Sequence, residues 1–183
     1  DSLLMEGDTA RDWTLSPSGK KIERNIHGDK YDPNIKEEFV TAENVSELFR
    51  KYNVPQDPDL VSIDLDGNDL WIWKALKYQP RVVVIEFNGC IPVWVSKTIK
   101  YNPEHQYGRN DYYGASFEAL KKLGHEMGYT CVYQLKTTNM FFVKDVILAE
   151  YGGNHNFNVR YNSQQYHPAH PTGNPEKYAW VKY

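Results

Sequence analysis

The chain has 183 residues, 40 % of them hydrophobic and 25 % charged, with a formal net charge of -3. That length and balance suit one globular domain with a small appendage and exclude wholesale disorder. Without a basic excess, nucleic acid is not an expected partner, and no apolar run approaches the roughly 20 residues of a membrane span.

The N-terminal residues Asp1 to Met5 lack a basic region followed by an apolar one, so no signal peptide is visible. They also lack an initiator Met, which reads as a start inside a longer gene product. Ser2 to Met5 is a short apolar run before Glu6-Gly7-Asp8 and reads as a buried strand and its turn. Residues 9–38 are polar and carry Pro17, Gly19, Gly28 and Pro33, which predicts irregular chain with one short strand around Lys21 to Ile26. Phe39 to Ala42 reads as a further strand. Asn44 is placed to cap a helix, with Glu47 three residues on as in a capping box. Val45, Leu48, Phe49 and Tyr52 form its apolar stripe, and Pro55 and Pro58 close it.

Leu60 to Asp64 is a compact apolar strand. Asn68 or Asp69 opens a helix running to about Tyr78. After Pro80, Arg81 to Phe87 is the clearest strand of the chain, apolar at successive positions and therefore expected to be central, parallel and covered on both faces. Residues 88–113 read as a long aromatic loop. Ser116 caps a helix with Phe117, Leu120, Leu123 and Met127 inward, ending near Gly128. Thr130 to Leu135 and Asn139 to Lys144 form a hairpin about Lys136-Thr137-Thr138.

This alternation predicts an α/β layer with a mostly parallel sheet, one edge made antiparallel by the C-terminal hairpin. Residues 1–148 form that domain. Residues 149–183 form an aromatic-rich tail, with Tyr151, Phe157, Tyr161, Tyr166, Tyr178, Trp180 and Tyr183, expected to pack on the domain or on a protein partner. Cys90 and Cys131 fit no CxxC or Cys/His pattern and read as reduced thiols, which suits an intracellular, cytoplasmic setting. An organelle stays open because Asp1 reads as a start inside a longer gene product.

In an open parallel sheet, ligands bind beyond the carboxyl ends of the strands. The strand ends here deliver Glu6 and Asp8, Glu43 and Asn44, the string Asp64-Leu65-Asp66-Gly67-Asn68-Asp69, and Glu86-Phe87-Asn88. Glu86 interrupts a strongly apolar run, where a carboxylate is costly unless paired or bound to metal. Side chains alternate along a strand, so Asp64 and Asp66 share a face, as do Glu86 and Asn88. On neighbouring strands these four groups would converge into an oxygen-rich site for Mg²⁺ or Mn²⁺. The competing reading has one Asp capping the next helix and the others hydrated.

An EF-hand reading fails, because Gly67 is misplaced after Asp64 and Ala75 stands where a bidentate Glu is needed. Asp64-Leu65-Asp66-Gly67 also invites a haloacid-dehalogenase-like phosphohydrolase reading, but no later strand ends in a second acidic pair. The six histidines show no zinc spacing. His105, near Arg109 and Asp111 in the aromatic loop, is a candidate for proton transfer beside the plainer reading of a loop histidine.

Taken together, Leu3 to Asp8, Asn44-Val45, Val61 to Trp71, Val83 to Asn88, Gly114 to Phe117 and Asn139 to Val143 resemble FkbM-type S-adenosylmethionine-dependent methyltransferases, over roughly residues 2–145. The resemblance implies a Rossmann-like class I methyltransferase sheet with the cofactor at its carboxyl edge. Glu6, with Asp8 beside it, would hold the ribose hydroxyls, and Glu43 and Asn44 would lie near the adenine. Asp64 and Asp66 would lie near the methionine end and the acceptor.

Asp64, Asp66, Glu86 and Asn88 match the layout of metal-dependent O-methyltransferases, with Asp64, Asp66, Glu86 and His105 as the catalytic group. The implied reaction is methyl transfer to a hydroxylated small-molecule or glycan acceptor such as a sugar. Residues 88–113 would form its lid, with Asn68, Tyr101, Tyr107, Arg109, Tyr112 and Tyr113 against it. The first strand and glycine-rich loop of such enzymes have no counterpart ahead of Leu3, so the sheet reads as N-terminally incomplete. A preceding segment or a separate chain would complete it. Alternatively, the fold would serve as a non-catalytic structural subunit of a larger assembly.

Overall fold

The computed structural model describes residues 36–153 and 178–183. The strands expected near residues 2–5 and 21–26, and the candidates Glu6 and Asp8, lie outside these. The described part is a mixed α/β fold. Its main sheet comprises β1 (Leu60–Ile63), β2 (Val82–Glu86), β4 (Tyr129–Leu135) and β5 (Asn139–Lys144), in the order β1-β2-β5-β4. β1 and β2 pair in parallel, with Ile63 opposite Ile85. β5 runs antiparallel to both β2 and β4.

The expectation of a mostly parallel sheet with one antiparallel edge is therefore corrected. Among the described pairings only β1–β2 is parallel, and the reversed strand lies inside the sheet. The hairpin explains this: Lys136, at φ 50°, turns the chain so that β5 fits between β2 and β4, leaving β4 at the edge and in the same sense as β2. β2 is also less covered than its run of apolar residues suggests. Val83 and Ile85 are fully buried, whereas Val82, Val84 and Glu86 on the other face are half-buried.

Four helices complete this part: α1 (Val45–Lys51), α2 (Asp69–Ala75), α3 (Phe117–Glu126) and α4 (Asp145–Glu150). Trp73 of α2 packs its ring 4.8 Å from Phe142 of β5 and 5.8 Å from Tyr129 of β4, and Leu70, Leu120 and Leu123 fill the same buried layer. α3 reaches this layer because Gly124 has no side chain. A Cβ there would stand 2.5 Å from the Phe142 ring and 3.2 Å from Trp73. Ser116 caps α3 as expected, its hydroxyl accepting the Ala119 N–H.

Other local expectations change. Asn44 precedes α1 but does not cap it through its side chain, and the capping box does not form. Its amide turns back instead, accepting the Thr41 N–H at 2.8 Å and donating to the Phe39 carbonyl at 2.8 Å, while Glu47 faces Arg50. Residues 39–41 are thus irregular rather than the expected strand, and a turn over 42–44 leads into α1. α2 stops at Ala75, short of Tyr78, because Leu76 is already extended.

The stretch read as loop contains β3 (Lys97–Ile99), which pairs antiparallel with β6 (Trp180–Lys182). The C-terminal residues 178–183 thus lie on the domain itself. α4 forms where no helix was expected. Among the described residues no helix is long and apolar enough to cross a membrane.

Candidate functional site

Because β1 and β2 pair in parallel with Ile63 opposite Ile85, Asp64, the residue after Ile63, comes beside the last residue of β2, Glu86. The chain then doubles back towards α2. Asp66 takes a left-handed backbone at φ 52°, which a short polar residue tolerates. One carboxylate oxygen from each of Asp64, Asp66 and Glu86 lies within 4.8 Å of the others. Asp64 is exposed, and Asp66 and Glu86 are half-buried.

Asp69 holds this loop from beneath. It is fully buried, and its two oxygens accept the N–H of Leu65 at 2.8 Å and of Gly67 at 3.0 Å. Burial pushes its carboxyl up to about 6, against the pull of those backbone bonds. Sequence reasoning offered Asp69 only as a helix cap. The signal for its actual role is an acidic residue two positions after a glycine at a helix start, where a short side chain can bond back to the preceding turn.

Glu86 carries the largest perturbation of the site. Burial first, then the nearby Asp69, Asp64 and Asp66 carboxylates, push it from 4.5 up to about 9. Its Oε2 is buried with no hydrogen-bond partner among the described residues. A buried carboxyl facing two others is costly as an anion unless a proton or a cation neutralises it. Three oxygen donors at this spacing fit a hard divalent cation that keeps water in its remaining positions.

Asn88, expected as a fourth ligand, has both atoms of its amide bonded to other partners. It is fully buried, its Nδ2 donates to the carbonyls of Asp111 (2.8 Å) and Tyr113 (2.9 Å), and its Oδ1 accepts the Cys90 N–H (2.9 Å). It clips residues 88–90 to 111–113. The face-sharing rule fails because β2 ends at Glu86.

His105 stands against the acidic loop. A Cβ built on Gly67 would lie 2.2 Å from its Cδ2, so only glycine leaves room for the imidazole. Burial pushes His105 below its ordinary 6.5, which keeps it neutral at pH 7. Its Nε2 is buried without a hydrogen-bond partner among the described residues. Buried Asn68 crosses to the same segment, its Nδ2 donating to the Asn102 carbonyl at 2.7 Å.

Tyr107 and Tyr113 meet edge-to-face at 5.6 Å. Burial raises both phenols, helped by Asp66 and Glu86, which places them beside the acidic trio. Arg109 is exposed at φ 53°. Tyr112 differs from the expected acceptor contact. It is buried, its hydroxyl donates to the Ala179 carbonyl at 2.8 Å, and the C-terminal residues cover it.

The expected adenine-side pair is otherwise engaged. Tyr101 donates to Glu43 Oε2 at 2.5 Å and thereby holds that exposed carboxyl below its usual range, while both amide atoms of Asn44 are bonded within residues 39–41. An apolar cleft between α1, β1 and α2, lined by Val45, Phe49, Val61, Ile63 and Ile72, lies apart from these polar groups. Compared with protein-family models, curated proteins and solved structures, the chain matches none.

Proposed function

We propose that this chain is an S-adenosylmethionine-dependent O-methyltransferase of FkbM-like type, acting on a hydroxylated acceptor such as a sugar with help from Mg²⁺ or Mn²⁺. The observation that carries the reading is the convergence of Asp64, Asp66 and Glu86 within 4.8 Å beyond the carboxyl ends of two parallel strands. The sequence resemblance supplies the reaction class.

Bound to these three carboxylates, a divalent cation would supply positive charge that lowers the pKa of an acceptor hydroxyl. The remaining work falls to side chains of this chain. Tyr107 and Tyr113 offer ring faces against which a sugar can lie. His105, which burial holds below its ordinary 6.5, is the candidate base for the hydroxyl proton. Bound at this edge of the sheet, S-adenosylmethionine would supply an electrophilic methyl group for the acceptor oxygen. Glu43 is held by Tyr101, and Asn44 keeps no free amide atom, so a cofactor would have to displace these contacts.

Isothermal titration of the folded chain with S-adenosylmethionine, with and without Mg²⁺ or Mn²⁺, tests the proposal. Micromolar binding and cation-dependent methylation of a sugar panel are expected. Absence of both heat and thermal shift sinks the enzyme reading. Methylation indifferent to a chelator sinks its metal component.

A further inference from the structure

We propose that residues 178–183 form a strap which, through Tyr112, holds the 101–113 segment and its His105 in place beside the acidic trio, so that Tyr112 is a positioning residue. The meaning of this for an acceptor rests on the proposed function; the placement itself does not.

The strap grips at two ends. On the loop side, β6 adds to β3, with Ile99 opposite Trp180, and the Lys100 N–H donates to the Ala179 carbonyl at 2.9 Å. The Lys97 ammonium stands 4.0 Å over the Trp180 ring. On the body side, the Tyr183 phenol donates to Glu126 of α3 at 3.0 Å, and Lys74 of α2 lies 4.8 Å over its ring. Two strands of three residues are too short to be stable alone, so these flanking contacts are what keep them paired.

Tyr112 sits where strap and loop cross. Tyr178 and Trp180 meet its ring edge-on at 5.2 and 5.0 Å, and its hydroxyl bonds to Ala179. Another part of the same ring meets His105 at 6.2 Å, and His105 fills the space over Gly67. Trp180, Tyr112, His105 and Gly67 therefore form one line of contacts from β6 to the acidic loop. Without Trp180, Tyr112 loses the nearer of its two ring contacts to the strap and keeps Tyr178 and the Ala179 bond among the described residues. The stretch between the Asn102 and Asp111 tethers is then held less firmly.

The test uses the full chain as Trp180→Ala, Tyr112→Ala and Tyr112→Phe. Two rates are read without cofactor or acceptor: amide hydrogen exchange, and modification of His105 by diethyl pyrocarbonate followed by peptide mass, with exposed His125 as internal reference. In Trp180→Ala and Tyr112→Ala, exchange over residues 101–113 and His105 modification should rise roughly tenfold, as for a segment that opens locally. Val83–Ile85 and Met140–Phe142 should keep their protection. Tyr112→Phe preserves the ring contacts and should stay within about twofold of the parent.

Unchanged rates in Trp180→Ala overturn the proposal. So does a rise that only follows the core amides, or a Tyr112→Phe as fast as Tyr112→Ala. If Tyr112→Ala does not fold, Trp180→Ala decides. Failure to bind S-adenosylmethionine would count against the proposed function and leave these rates as they are.

Discussion

Glu86→Gln is the sharpest test of the acidic site. In the cation-free protein the Glu86 carboxyl is pushed from 4.5 to about 9, first by burial and then by Asp69, Asp64 and Asp66. The folded state keeps this proton up to about pH 9, whereas the unfolded chain releases it near 4.5. Between those values the folded state binds more protons, so stability falls as pH rises. At about 1.4 kcal/mol per unit, Glu86 costs on the order of 3 kcal/mol at pH 7 and about 1 kcal/mol at pH 5.

Glutamine has nearly the same shape, cannot ionise, and presents N–H groups that the Asp64 and Asp66 carboxylates can accept. With chelator present, Glu86→Gln should therefore be more stable than the parent by about 3 kcal/mol at pH 7, a rise of roughly 6–12 °C in Tm for a chain of this size. The gain should shrink to about 1 kcal/mol at pH 5. Calorimetry or urea titration at the two pH values reads it. Equal stability at pH 7, or the same gain at both, would refute the account of Glu86 as a buried carboxyl crowded by its neighbours.

With Mn²⁺ or Mg²⁺ at 100 times Kd, the parent should gain about 2.7 kcal/mol at pH 7, and Asp66→Asn should lose most of that gain in the same thermal assay. Asn88→Ala removes three hydrogen bonds of a buried amide and leaves the Asp111 and Tyr113 carbonyls to find other donors. It should cost about 2–4 kcal/mol in urea unfolding, and a cost under about 0.5 kcal/mol would show that Asn88 does not clip the two loops. Gly124→Ala should destabilise by about 1–3 kcal/mol although alanine is the better helix former, because its methyl would overlap Phe142. A more stable variant would show that α3 can shift to make room.

Asp64, Asp66 and Glu86 were legible in the sequence because they obey rules local to a strand: an apolar run ends, acids follow, and side chains alternate. Asn88 follows the same pattern on paper, but β2 has already ended at Glu86 and the chain has turned. The hairpin was legible through its short turn, whereas its insertion beside β2 was not, since strand order depends on packing across the whole sheet. β3 and β6 carry no readable period in three residues each, and residues 100–179 separate them along the chain. Asn44 shows a different limit: the same amide that can cap a helix can equally bond the turn before it, and here it does the latter.

The positions that sequence reasoning misplaced share a physical role. Three carboxylates brought within 4.8 Å repel one another, and a loop left to itself would splay them into water. Asp69 opposes this from beneath through the Leu65 and Gly67 amides. Asn88 fixes the far wall through Asp111 and Tyr113, and Tyr112 ties the segment between to the C-terminal strap. None of these bonds uses a carboxylate oxygen of the trio itself. An ordinary hydrated acidic rim has no need of such bracing, because its charges separate freely. On the proposed reading, a cation would take the place of the proton that Glu86 keeps at neutral pH, which is the property that the proposed reaction requires.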